Sequence, residues 1–218
     1  MQAATTVIGR RDGRRDLRPI NLSDANLAHA NLASADLADA HLTRAHLDDA
    51  DLTGAKLTSA HLIDAILTDA QLADADLTGA RLAAAYLTRA RLTGAILTDA
   101  HLANTDLIRA DFTGAHLASA DFTGADLSDA HLAHANLAGA VLAEARLRGA
   151  DLTDADLTGA VLVNADLAGA DLTGARWPAD TPAPEGWELD TGSGLLKRAA
   201  TDSDPGETDG SQNGGSSE

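Results

Sequence analysis

The chain has 218 residues, 44% apolar but only 2% aromatic, with no Cys and a formal net charge of −17. The missing thiols exclude disulfides and thiolate metal sites, and the shortage of aromatics excludes a core that mixes large and small side chains. So acidic a body repels phosphate, which argues against direct nucleic-acid binding. No apolar run reaches the roughly 18 residues that span a bilayer, and the N-terminus holds no apolar stretch of secretory length. A cytoplasmic protein is therefore expected.

In chain order, residues 1–16 are expected to form a short N-terminal arm or cap. The first twenty residues hold five Arg and two Asp, a net charge of +3. Val7 and Leu17 fall in phase with the pattern that follows; Asp12 does not.

From Leu17 to Leu172 every fifth residue is Leu, with Phe112 and Phe122 as exceptions, and from Ala25 to Ala175 every fifth residue is Ala, except Thr105. The motif A-x-L-x-x runs without insertion or deletion for about 31 copies. In an α-helix five residues turn through about 500°, so successive Leu would scatter around the axis. In a straight strand five is odd, so successive Leu would point to opposite faces. Only a chain that turns once per repeat keeps every Leu inside. Ala and Leu, two apart, then share the inward face, the residue between them points out, and the two residues after Leu make a corner. Gly at the second corner position, as at Gly94 and Gly114, suits a turn with positive φ. Such a chain winds into a solenoid whose coils stack at about 4.8 Å.

The stretches A-D-L-T-G, A-N-L-A-S and A-D-F-T-G resemble the pentapeptide-repeat proteins. The likeness covers roughly residues 20–177, and 29 of the 30 Ala positions from 25 to 170 obey it. It implies an all-β fold, a right-handed quadrilateral β-helix over residues 17–177 with four repeats per coil. About eight coils make a rod about 37 Å long. Trp177, in phase after Leu172, is expected to plug the C-terminal end, and Pro178, Pro182 and Pro184 to stop the winding. Residues 178–198, with Trp187, Leu189, Leu195 and Leu196, are expected to form a C-terminal cap or a dimerisation segment that gives a homodimer. Residues 199–218 read as a disordered tail.

Little in the repeat suggests catalysis. There is no G-x-S-x-G, P-loop or G-x-G-x-x-G, and an uninterrupted repeat supplies no long loop to build a cleft. A non-enzymatic protein without cofactor or metal is expected. All eight His occupy outward positions. His41 and His61 share a column with His101, and His131 pairs with His134, but side chains on a convex rod diverge whereas zinc wants three or four ligands converging. Thr105 is the inward polar exception, expected to bond a backbone carbonyl. Phe112 and Phe122 are expected to fill one thicker section of core.

The outward charge says more. Asp48, Asp49, Asp51, Asp64, Asp69, Asp74 and Asp76 form an acidic band along the chain, opposed only by Lys56. Arg81, Arg89 and Arg91 follow, with no acid between residues 77 and 98. Such charge serves solubility and keeps rods apart. One branch of the resembled family binds type II topoisomerases. That resemblance implies an acidic rod imitating duplex DNA, with DNA gyrase or topoisomerase IV as partner, modulating the enzyme or protecting it from quinolones. The alternative is a structural or adaptor solenoid with another protein partner.

Overall fold

The computed structural model describes residues 19–199. The arm expected over residues 1–16, together with Leu17, and all but the first residue of the expected tail lie outside the described residues.

The five-residue beat becomes a wall and a corner. From Leu37 to Leu157 no inward side chain exceeds 1% exposure. The residue between Ala and Leu pairs in parallel with the residue twenty further on, from Asn21↔His41 through to Asp156↔Arg176. Because such bridges recur every five residues, each coil has four walls. We call wall 1 the column that starts at Asn21, wall 2 at Asn26, wall 3 at Asn31 and wall 4 at Asp36. Each wall contributes one bridged residue before the chain turns, so none is long enough to count as a strand.

Each repeat satisfies its backbone polar groups in the same way. Leu42 N–H donates to the His61 carbonyl at 2.7 Å and Arg44 N–H to the Ile63 carbonyl at 3.0 Å, both on the next coil. His61 N–H donates back to the Ala40 carbonyl at 2.9 Å, and Ala45 N–H closes the corner on the Leu42 carbonyl at 3.0 Å. The N–H at the first corner position meets no neighbouring coil. Where the outward residue is Asn or Asp, its side-chain oxygen accepts that N–H, as Asn21 does from Ser23 at 3.0 Å and Asp151 from Thr153 at 3.0 Å.

The second corner residue has positive φ at every corner from Asp24 to Gly174, whether or not it is Gly. Arg44 sits at 55° and Ala84 at 56°. For such residues this conformation costs roughly 1–2 kcal/mol each. It persists because the alternative would expose a Leu and break the inter-coil hydrogen bonds on both sides.

The winding ends where β1 (Trp187–Asp190) and β2 (Leu195–Arg198) form an antiparallel hairpin. β2 takes the place of the next coil beyond wall 4 and the corner before it: Gly174 N–H donates to the Leu196 carbonyl at 3.1 Å and Leu196 N–H to the Ala175 carbonyl at 2.9 Å. Arg176 pairs with Leu195 in the antiparallel sense, and this reversal of direction prevents a further coil. Trp177 is 4% exposed, its N–H bonded to the Gly194 carbonyl at 3.0 Å and its indole Nε1 to the Thr181 carbonyl at 3.0 Å. Leu196 is 2% exposed and joins the chain's own core, with Trp187 and Leu189 half-buried beside it.

Candidate interaction surface

The solenoid takes residues that are neighbours in sequence and sends them to different sides. Of the seven acids in the sequence band, Asp51 stands on wall 3 and Asp76 on wall 4. Asp48, Asp49 and Asp69 sit at the corner after wall 2, Asp64 at the corner after wall 1, and Asp74 at the corner after wall 3. The structure brings Asp48, Asp49 and Asp69 together, puts Asp51 and Asp74 on wall 3 with its corner, and sends Asp64 and Asp76 to other sides.

Charges answer one another up the columns rather than along the chain. Arg89 Nε donates to Asp69 Oδ1 at 2.8 Å from the next coil, so Lys56 is not the only base opposing the band. That bond holds the Asp69 carboxyl below the usual carboxylate range. Arg44 bonds Asp24 at 2.7 Å, Arg109 lies 3.5 Å from Asp129, and Arg146 lies 3.4 Å from Asp126. His29 lies 3.6 Å from Asp49, and His46 3.9 Å from Asp48. Wall 2 thus carries acids that are largely matched by bases within one coil, whereas on wall 1 Arg44 matches Asp24 and, among the described residues, Asp64, Asp121 and Glu144 have no ion pair.

Walls 3 and 4 are left more acidic. Wall 4 with its corner carries Asp36, Asp39, Asp76, Asp99 and Asp156 against Lys56 and Arg176, with no ion pair among the described residues. Wall 3 with its corner carries Asp51, Asp74, Asp111, Asp151, Asp154 and Asp171 against a single base, Arg91. Asp154 lies 3.8 Å from His134 and Asp171 4.0 Å from Arg198. Among the described residues the other four have no ion pair. Burial pushes Asp111 up, but hydrogen bonds from Thr113 and Thr93 outweigh it and leave the carboxyl below its ordinary range. The Thr173 hydroxyl and N–H lower Asp171 in the same way. Wall 3 presents a negative face that Arg91 interrupts between Asp74 and Asp111.

The outward Asp residues also have a structural task that the sequence reading missed. Asp51, Asp111, Asp151 and Asp171 each accept the N–H of the residue two on, at 3.0–3.1 Å. The signal was present: Asn fills the same place at Asn21, Asn26 and Asn31 and makes the same bond. The turn needs a side-chain oxygen there and does not need a charge, so the choice of Asp over Asn is separable from folding.

The positive band is likewise spread around the rod, with Arg81 on wall 1, Arg89 at the corner after wall 2 and Arg91 on wall 3. Between them on wall 2 stands Tyr86, 51% exposed and paired with Ile66 below it. On wall 1 the His41 and His61 rings lie 4.8 Å apart at 56°. Among the described residues no group of three or more His, Asp or Glu could hold a metal ion, and no helix is long and apolar enough to cross a membrane. Phe112 and Phe122 are both fully buried.

A parallel β-solenoid built from uninterrupted five-residue walls, apolar within and acidic without, is the class of protein defined here. The chain belongs to the pentapeptide-repeat family: the description "Pentapeptide repeats" matches in eight copies, over residues 20–58, 55–94, 85–124, 95–132, 125–162 and 150–176. Among solved structures it is similar to HetL, a pentapeptide repeat protein involved in heterocyst differentiation regulation from the cyanobacterium Nostoc sp. strain PCC 7120. The two are 35% identical over 76% of this chain and 82% of that one, with a TM-score of 0.43. It is also similar to trypsin-treated QnrB1, a plasmid-mediated fluoroquinolone resistance protein, at 20% identity over 76% of this chain and 87% of that one, with a TM-score of 0.39. A pentapeptide repeat protein of the Arabidopsis thaliana thylakoid lumen is 32% identical over 50% of this chain and 69% of its own, with a TM-score of 0.23. No curated protein sequence matches.

Proposed function

We propose that this chain is a non-enzymatic, cytoplasmic binding protein, a right-handed rod of about eight coils that imitates duplex DNA. Its partner is the basic DNA-binding saddle of DNA gyrase or topoisomerase IV, and its effect is to modulate that enzyme or shield it from quinolones. The observation that carries the reading is the uneven neutralisation of charge. Wall 2 matches most of its acids internally, whereas wall 3 leaves Asp51, Asp74, Asp111 and Asp151 without an ion pair among the described residues, in a file broken by Arg91. A basic saddle finds there a row of fixed anions, and binding driven by release of its counterions weakens steeply with salt.

The test is a supercoiling assay with purified gyrase, with and without a fluoroquinolone, at two salt concentrations. Inhibition or protection that fades at the higher salt is expected. The variant Asp51→Asn, Asp111→Asn, Asp151→Asn keeps the turn bonds and removes three charges. It should lose the effect, while Asp48→Asn, Asp49→Asn, Asp69→Asn should keep most of it. Absence of inhibition, protection and gyrase binding would sink the reading.

A second reading, an adaptor for another protein, is favoured by one feature. Tyr86 is the only Tyr of the chain, and it is exposed and paired with Ile66, a residue type found at the energetic centres of protein interfaces. If Tyr86→Ala abolishes partner binding and the wall 3 variant does not, the adaptor reading replaces the mimic.

A further inference from the structure

β2 occupies the place beyond wall 4, but among the described residues none takes the corresponding place above Leu162 and Leu167. Both are partly exposed, whereas Leu157 and Leu172 are buried. A cavity of about 630 Å³ opens there, walled by Leu162, Leu167, Trp177, Pro182 and Trp187.

The rim of this cavity has a definite hydrogen-bonding character. In each repeat two N–H groups, those of Leu and of the second corner residue, point toward the next coil, and one carbonyl points the same way to receive the returning bond. The C-terminal end of the rod therefore offers more donors than acceptors. Among the described residues, the N–H groups of Leu162, Asn164, Leu167, Gly169 and Leu172 have no partner, against the free carbonyls of Ala160, Ala165 and Ala170. Arg198 also lines the cavity, its guanidinium 5.0 Å from the centre of the Trp187 ring. Glu185 is the one acid of the lining, and it belongs to the excursion before β1, not to the rung with the free donors.

We infer that this end of the solenoid is a binding site for the C-terminal end of an extended peptide whose last side chain is aliphatic. The peptide continues the interrupted β pairing. Its terminal carboxylate, an acceptor with no donor, meets the surplus N–H groups of Leu167 and Gly169 and the charge of Arg198. Its last side chain enters between Leu162 and Leu167 against the two indoles. Residues 200–218 are a poor occupant, since they hold no aliphatic residue larger than Ala.

Trp177 and Trp187 are the only two Trp in the chain and both line the cavity, so tryptophan fluorescence reports on this site alone. The probes are an acetylated hexapeptide ending in Leu as the free acid, its C-terminal amide, and the same peptide ending in Ser. The acid should change the fluorescence saturably, with the amide and the Ser peptide at least about tenfold weaker, equivalent to about 1.4 kcal/mol. Arg198→Ala should weaken the acid and leave the amide unchanged. Equal binding of acid and amide, or no response to the Leu acid at about 1 mM, overturns the inference. A concentration-dependent fluorescence change without peptide, accompanied by a doubling of mass, also overturns it and gives this end to a second copy. None of these outcomes depends on the partner of wall 3.

Discussion

Phe112 and Phe122 meet edge to face across the bore, their ring centroids 6.2 Å apart and their planes at 89°. Ten residues separate them, so they come from opposite walls, 3 and 1, half a coil apart. Two Phe in successive half-coils fit because each projects toward the axis from the far side, and the edge of one packs on the face of the other. Phe122→Ala should cost about 3–5 kcal/mol. Phe122→Leu should cost under about 1.5 kcal/mol, since Leu102 and Leu142 occupy the same column one coil below and above and are fully buried. Urea unfolding of both variants checks this; equal losses would mean that ring contact, not volume, dominates.

Two corner glycines separate backbone strain from crowding. Gly114 has φ of 66°, and a Cβ there would meet nothing within 4 Å, so Gly114→Ala should cost about 1 kcal/mol from strain alone. Gly94 has φ of 67°, and a Cβ there would lie 2.7 Å from Asp74 Oδ1. That oxygen is the far end of an exposed, flexible side chain that can turn away, so Gly94→Ala should cost only slightly more than Gly114→Ala. The double variant Gly94→Ala, Asp74→Ala should return to the Gly114→Ala level in thermal unfolding.

Thr105 donates its hydroxyl to the Leu82 carbonyl at 3.0 Å and is 1% exposed. That carbonyl already accepts the Ala85 N–H at 2.9 Å, so removing the hydroxyl orphans no acceptor. Thr105→Ala should change stability by less than about 1 kcal/mol. A loss of about 2 kcal/mol or more, on the order of an unsatisfied buried group, would show that the hydroxyl is a required part of the core.

Salt and acid should act in opposite directions on stability. At neutral pH the net charge of −17 makes the rod repel itself, so raising NaCl from about 20 mM to about 500 mM should raise Tm. Acid acts through Asp69, Asp111 and Asp171, whose carboxyls lie below their ordinary range in the folded chain, Asp69 through its bond from Arg89 and Asp171 through its bonds from Thr173. A lowered folded value stabilises above the unfolded value of about 3.9, and that contribution is lost as pH falls through the folded values. Tm should hold steady from pH 7 down to about pH 5 and then fall. A Tm that rises below about pH 4 would show that relief of repulsion outweighs these bonds.

The bore was legible in the sequence residue by residue. Leu at every fifth position with Ala two before it admits one packing, because neither the helical nor the strand period keeps all of them inside. The corner was half legible. Gly94 and Gly114 announce positive φ, but Arg44 and Ala84 adopt the same conformation without announcing it, compelled by the coils on either side. The candidate surface was least legible. Asp69 reads as a member of an acid-only band until the next coil sets Arg89 against it, and Asp51 reads as charge until Thr53 shows it to be a turn oxygen as well.

The sequence by itself determined the five-residue turn, the apolar interior, the family and the total charge, because each follows from which side chain recurs at which spacing. The tertiary structure alone decided which charges meet, since neighbours on this surface are twenty residues apart in sequence and the corners turn adjacent residues away from each other. It also decided how the rod ends. The hairpin closes one side by running antiparallel to the coil it covers and leaves Leu162 and Leu167 beneath an open rim of N–H groups, a consequence of strand direction that no local pattern encodes.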